Sequence, residues 1–133
     1  MKKLNESMGN YLKAIYQLQQ CRGEVRSVDL AVLFGYSKAS VCVAVKKLRG
    51  LNLIEMDSKK RIYLTAYGER LAADLEKKYT LLKCLLTSVL NVDEQTAAQD
   101  ACRIEHVISS ESLNRLELVC DSQLKKAGID KCV

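Results

Sequence analysis

Not one of the 133 residues is a proline. Nothing in the chain therefore breaks a helix by removing a backbone donor and crowding the preceding turn, and most of the sequence carries apolar residues at three- and four-residue spacing, the repeat of an amphipathic helix. Leu4, Met8, Tyr11, Leu12, Ile15, Tyr16 and Leu18 form the first such stripe, which Cys21-Arg22-Gly23 ends. Ser27 is placed to cap a short second helix with Leu30, Ala31, Leu33 and Phe34 facing inward and Gly35 at its stop. Ser37 then caps a third helix over 38–49, whose inward face is Val41, Ala44, Val45 and Leu48.

After Gly50 the period changes. Leu53-Ile54-Glu55-Met56 and Arg61-Ile62-Tyr63-Leu64 flank Asp57-Ser58-Lys59-Lys60, the pattern of a two-stranded hairpin with a basic tip. Two helices at a tight turn followed by a hairpin make a winged helix-turn-helix. Thr65 opens a long fourth helix whose stripe, Leu71, Leu75, Tyr79, Leu82, Leu86 and Val89, is too long for that small module to cover. Asp93 caps a fifth helix to about Ile108, and Ser110 a sixth with the stripe Leu113, Leu116, Cys120 and Leu124. The expected fold is mainly α: an N-terminal winged helix-turn-helix over 1–64, then an α-helical dimerisation domain over 65–133. The last helices are too few to close a core alone, and should complete it against a second copy of the chain.

Composition narrows the class. With 48% hydrophobic and 28% charged residues the chain can collapse, which sets aside disordered and low-complexity classes. No stretch approaches the roughly 18 consecutive apolar residues of a membrane span, and Met1-Lys2-Lys3-Leu4 runs into Asn5-Glu6-Ser7 instead of an apolar signal segment. A cytoplasmic protein without a membrane partner is expected. Cysteines stand at 21, 42, 84, 102, 120 and 132 with no C-x-x-C unit, so reduced thiols are expected.

Charge is unevenly placed. Residues 1–65 hold twelve Lys/Arg against five acids, and 66–133 hold nine against eleven, so the whole excess of positive charge lies in the N-terminal half. That asymmetry marks the winged helix as a polyanion-binding module. In helix-turn-helix geometry the start of the third helix meets base edges in the major groove. Here that start offers Ser37, Lys38, Ala39, Ser40 and Val43. None is an Asn, Gln or Arg suited to bidentate base contacts, so a degenerate, A/T-leaning double-stranded site read through thymine methyls is expected. Arg26, Lys46, Lys59, Lys60 and Arg61 are the expected phosphate contacts.

On the fifth helix, Cys102, Glu105 and His106 stand at i, i+3 and i+4, so a thiolate, a carboxylate and the only histidine of the chain share one face. That trio is a ligand set for a divalent ion, its sulfur favouring iron, cobalt, nickel or zinc over magnesium or calcium. Three donors from one helix rarely complete a site, and the first helix offers Asn10 and Met8. A metalloenzyme is disfavoured, because no independent acid or base accompanies the set.

These motifs resemble the diphtheria toxin repressor family of metal-dependent transcriptional regulators. The similarity rests on Tyr11-Leu12-x-x-Ile15-Tyr16, the 37–53 helix and turn, Leu64-Thr65-x-x-Gly68 and, most specifically, Cys102-x-x-Glu105-His106, and it covers about residues 1–125. In length the chain is similar to the shorter, manganese-regulator branch without an SH3-like domain. Cys at 102 is more like the iron-responsive branch. The resemblance implies a homodimer that binds a palindromic operator and represses metal-uptake genes when one divalent ion per chain is bound, Fe2+ first, with Mn2+, Zn2+, Co2+ or Ni2+ as other candidates. It puts the family's first-helix ligand on Asn10, with Met8 in reserve, and a second, ancillary metal site on Tyr79, Lys83 and Ala98, which cannot hold an ion. The competing expectation is a metal-blind or thiol-redox winged-helix module with a vestigial metal site.

Overall fold

The computed structural model describes residues 5–126, the side chains of 122–126 excepted, and divides into two compact units, Met1–Asp74 and Leu75–Val133. In chain order the elements are α1 (Glu6–Arg22), α2 (Ser27–Phe34), α3 (Lys38–Gly50), β1 (Ile54–Met56), β2 (Ile62–Leu64), α4 (Ala66–Cys84), a π-helical segment (Leu85–Val89), α5 (Glu94–Ile104) and α6 (Ser110–Lys126). No helix among the described residues is long and apolar enough to cross a membrane.

In the first unit, Asn5 Oδ1 accepts a hydrogen bond from Met8 N at 2.8 Å and starts α1. Gly23, in the left-handed region at φ 76°, ends it. The stripe turns inward as Met8, Tyr11, Leu12 and Ile15 and packs with Leu30, Val41, Val45 and Leu48 into one core. Between α2 and α3, Gly35 (φ 68°) and the Tyr36 N–H bond to the Ala31 carbonyl (3.1 Å) make the tight turn. Ser37 Oγ accepts from Ser40 N at 3.1 Å and caps α3. The hairpin pairs Ile54 with Leu64, Glu55 with Tyr63 and Met56 with Ile62.

Several local expectations shift. Ser27 is the first residue of α2, and Arg26 holds the cap position, its N–H donating to Asp29 Oδ2 at 2.8 Å. Leu33 is exposed instead of buried, because Leu30, Ala31 and Phe34 already fill the inward face of this two-turn helix. The segment before α2 also joins the hairpin: Ile62 N donates to the Val25 carbonyl at 2.7 Å, and Arg26 bridges Arg61.

Thr65 opens α4, accepting from Gly68 N (3.0 Å) and donating to the Asn52 carbonyl (2.7 Å). A Cβ at position 68 would collide with the Leu53 carbonyl, so only glycine lets the first turn of α4 lie this close to the hairpin. Tyr67, Leu71 and Ala72 join the N-terminal core. For that reason the first compact unit runs on into α4 as far as Asp74.

In the second unit the fourth stripe does not stay α-helical to Val89. Thr87 Oγ1 donates to the Lys83 carbonyl at 2.9 Å, competing with the backbone where the ladder widens to π. Asp93 Oδ2 accepts from Thr96 N at 3.1 Å and starts α5. That helix ends at Ile104, not Ile108, and Ser109 rather than Ser110 caps α6, its Oγ accepting from Ser112 N at 3.1 Å. Leu81, Cys84, Leu113 and Cys120 form the local core, with Leu85 and Ile108 packed on it. Cys21, Cys42, Cys102 and Cys120 are not in a disulfide, as expected, but Cys84 takes part in one. Leu4, the Leu124 side chain and Cys132 lie outside the described residues.

Candidate metal centre and nucleic-acid interface

Cys102 sits in the last turn of α5, Glu105 at its C-cap and His106 one residue beyond. The hydrogen bonds loosen here, with Val107 N donating to the Ile104 carbonyl at 3.0 Å. Glu105 nevertheless keeps a right-handed helical backbone (φ −56°, ψ −27°), so the three side chains still leave one face. Their donor atoms lie within 4.8 Å of one another. Glu105 is 1% exposed, and His106 Nε2 stands 3.3 Å from Glu105 Oε1. A carboxylate taken this far from water needs compensating positive charge. Sulfur, oxygen and nitrogen donors this close fit a divalent transition ion, which would supply that charge.

The two first-helix candidates differ. Met8 is buried in the core of the first unit, whereas Asn10 is half-buried and lines an open pocket with Glu6, Ser7 and Tyr36. Lys83, at the position where the resemblance placed an ancillary ligand, pairs with Glu94 through Nζ–Oε1 at 3.3 Å.

The exposed face of α3 presents Ala39, Cys42, Val43 and Lys46 at three- and four-residue spacing. Beside it a groove of about 590 Å³ opens toward the hairpin tip, lined by Arg26, Lys38, Cys42, Lys46, Arg49, Asp57, Lys59 and Lys60 among others. Of the expected phosphate contacts, Arg26, Lys46, Lys59 and Lys60 thus share one surface, and Lys38, expected at the base-facing start of α3, lines it too. Arg61 does not face it. Its Nε donates to Asp57 Oδ2 at 2.7 Å and its N–H to Asp57 Oδ1 at 2.9 Å, so it braces the hairpin. Those bonds from Arg61 hold the Asp57 carboxyl below the usual carboxylate range, and raise the guanidinium in turn. Ser37 is occupied as a cap, leaving Ala39, Ser40 and Val43 as exposed candidates of the helix start. Sequence reading missed Cys42 and Arg49, having weighed the cysteines as small hydrophobes. The spacing of Ala39, Cys42 and Lys46 was the available signal.

A winged helix with a basic groove, carried on a chain with a sulfur–oxygen–nitrogen donor cluster, defines a metal-responsive DNA-binding protein. Known sequences agree. Residues 3–62 match the iron dependent repressor N-terminal DNA binding domain, and residues 65–123 the iron dependent repressor metal binding and dimerisation domain. The transcriptional regulator MntR of Escherichia coli O6:H1 is 34% identical over 113 residues, covering 85% of this chain and 72% of that protein. The diphtheria toxin repressor of Corynebacterium diphtheriae is 29% identical over 116 residues, covering 87% of this chain and 51% of that one. The solved structure of the manganese regulator SloR superposes with a TM-score of 0.78 at 28% identity, covering 86% of this chain and 53% of SloR. The chain thus spans about half the length of the last two proteins. It belongs to the diphtheria toxin repressor family of metal-dependent, DNA-binding transcriptional regulators, whose members are regulators and not enzymes.

Proposed function

We propose that this chain is a metal-gated repressor of metal-uptake genes, acting in the cytoplasm as a homodimer on a palindromic operator, with one divalent ion per chain held by Cys102, Glu105 and His106. The observation that carries this reading is the convergence of three donor atoms within 4.8 Å around an almost fully buried carboxylate. The thiolate favours a transition ion over magnesium or calcium. Fe2+ is the first candidate because Cys at 102 is like the iron-responsive branch of the family, with Co2+, Ni2+, Zn2+ and Mn2+ as further candidates. Met8 is committed to its own core, which leaves Asn10 as the first-helix donor to test.

Cys102, Glu105 and His106 would hold the ion, whose charge would offset the thiolate and carboxylate and tie together the residues at the end of α5. Cys102 gives up its thiol proton to ligate, so occupancy falls at low pH. Val107, Leu118 and Val119, exposed at 72%, 68% and 52%, are the apolar surface offered to a second copy. Ala39 and Val43 face the bases, and Arg26, Lys38, Lys46, Lys59 and Lys60 the phosphates. Metal and operator affinities must rise together, because coupling between two sites is reciprocal.

Anaerobic titration of the reduced protein with Co(II) tests the assignment. A thiolate-to-cobalt charge-transfer band is expected to saturate at one ion per chain, to vanish in Cys102→Ala and to weaken in Asn10→Ala. Absence of a band in the wild type would overturn the site and favour a metal-blind regulator that uses its exposed thiols, Cys21 and Cys42.

A further inference from the structure

Helix α3 lies between two clefts of different chemistry. On the hairpin side is the groove described above, where cations gather around the single acid Asp57. On the other side a second cleft, of about 290 Å³, is lined by Ser7 from the start of α1, Tyr36 from the turn, and Ser40, Val43 and Lys47 from α3. The exposed ridge of Ala39, Cys42, Val43 and Lys46 runs between them.

A helix seated in the major groove has a sugar-phosphate strand on either side. Each cleft then faces one strand. The first presents charge, and the second presents the hydroxyls of Ser7, Tyr36 and Ser40 with Lys47 as its one cation. Two of those hydroxyl groups are held in place. The exposed Tyr36 ring stacks on Phe34 at 5.4 Å and 11°, with the Tyr11 ring 6.1 Å away. Ser37 Oγ accepts from Ser40 N and donates to Ser40 Oγ at 3.0 Å, which leaves the Ser40 hydroxyl proton for another acceptor.

We propose that the operator's two strands are gripped by different means: one by the cations of the hairpin groove, the other by neutral hydrogen bonds from Ser7, Tyr36 and Ser40, with Tyr36 as a phosphate-positioning residue. The proposal rests on the DNA-binding reading and deepens it. Only cationic contacts release condensed counterions, so only they set the salt dependence of binding. The hydroxyl cleft therefore adds affinity that salt does not remove.

The test uses the full chain loaded with Co(II) and a fluorescein-labelled duplex of mixed sequence, roughly 30 base pairs or three helical turns long. Anisotropy is read across a salt series for the wild type, Tyr36→Phe, Ser7→Ala and Lys59→Ala. Tyr36→Phe keeps the ring and its stacking, so loss of folding does not confuse the result. Tyr36→Phe and Ser7→Ala are each expected to weaken binding about three- to tenfold at every salt concentration, with the slope of log affinity against log salt unchanged. Lys59→Ala is expected to reduce that slope by about 0.9. Wild-type affinity in both hydroxyl variants, beside the expected change in Lys59→Ala, would overturn the hydroxyl grip and leave the DNA-binding reading standing. A changed slope in the hydroxyl variants would overturn its neutral character. No binding of wild type to the duplex would instead bring down the DNA-binding reading, and this proposal with it.

Discussion

In the N-terminal unit the positions at most 1% exposed are Leu12, Ile15, Val25, Leu30, Val41, Leu48, Leu53, Ile62 and Ala72; among the described residues of the C-terminal unit they are Ala97, Ala101, Cys120 and Glu105. All but one of the first set are branched and apolar, a core that the hydrophobic effect stabilises directly. The second is small-chained and includes an acid, Glu105, 3.3 Å from His106, whose burial costs free energy that its neighbours must offset. Leu81, Leu82 and Leu113 are buried in that unit, whereas Val107, Leu118 and Val119 stand in the open. The first unit thus has the larger apolar core, and the second sets a buried acid beside a smaller one.

The most forceful way to break this contrast is truncation in each core. Leu12→Ala is expected to destabilise the first unit by about 3–5 kcal/mol, and Leu113→Ala the second by about 2 kcal/mol, because the smaller cluster has less packing to lose. Urea unfolding of the two variants measures both, and equal losses would erase the contrast.

Next in size is the response to metal. An ion in thousandfold excess over its dissociation constant stabilises its binding unit by about 4 kcal/mol. Glu105→Gln should abolish that gain, yet leave the metal-free protein as stable as the wild type or more so, since a buried charge is replaced by a neutral amide. Thermal melts with and without Co(II) give both signs. A metal-free variant far less stable than the wild type would show that Glu105 is a structural anchor. Smaller again is the effect expected at the exposed apolar surface: Leu118→Asp should weaken self-association about tenfold or more in sedimentation equilibrium, with the helical signal retained.

The same contrast governs what the sequence reveals. Strong stripes and caps were readable in the first unit: Leu12 and Ile15 repeat on one face, Gly23 and Gly35 stop helices, and Ser37 caps. The donor trio was readable too, since helical spacing fixes which side chains share a face. Where the second unit departs from its pattern, the causes are local. The Thr87 hydroxyl competes for a carbonyl, Ser109 outcompetes Ser110 as a cap, and α5 gives way to turns at Glu105. In the first unit the miss was tertiary: the pairing of Val25 and Arg26 with the hairpin depends on residues far apart in sequence, and no periodicity encodes it.

The smallest effect compares two capping carboxylates, one in each unit. Asp57 is held below the usual carboxylate range first by its backbone hydrogen bond from Arg61 and then by the Arg61 side chain, and Asp93 is lowered by its bonds from Thr96. A carboxyl lowered on folding adds stability that is whole above its unfolded value and disappears as pH falls through the folded one. Both contributions are therefore complete at neutral pH and lost only in acid. Arg61→Ala removes only the side-chain part, so it should move the Asp57 titration upward while the retained backbone N–H at position 61 still holds it below the ordinary range, and leave Asp93 where it is, which carboxyl-detected NMR across an acid series resolves residue by residue. If Asp57 did not move at all in that variant, the hairpin tip would owe its shape to the turn and not to the Arg61 side chain. Arg61 would then be available to the phosphates, as its position in the sequence first suggested.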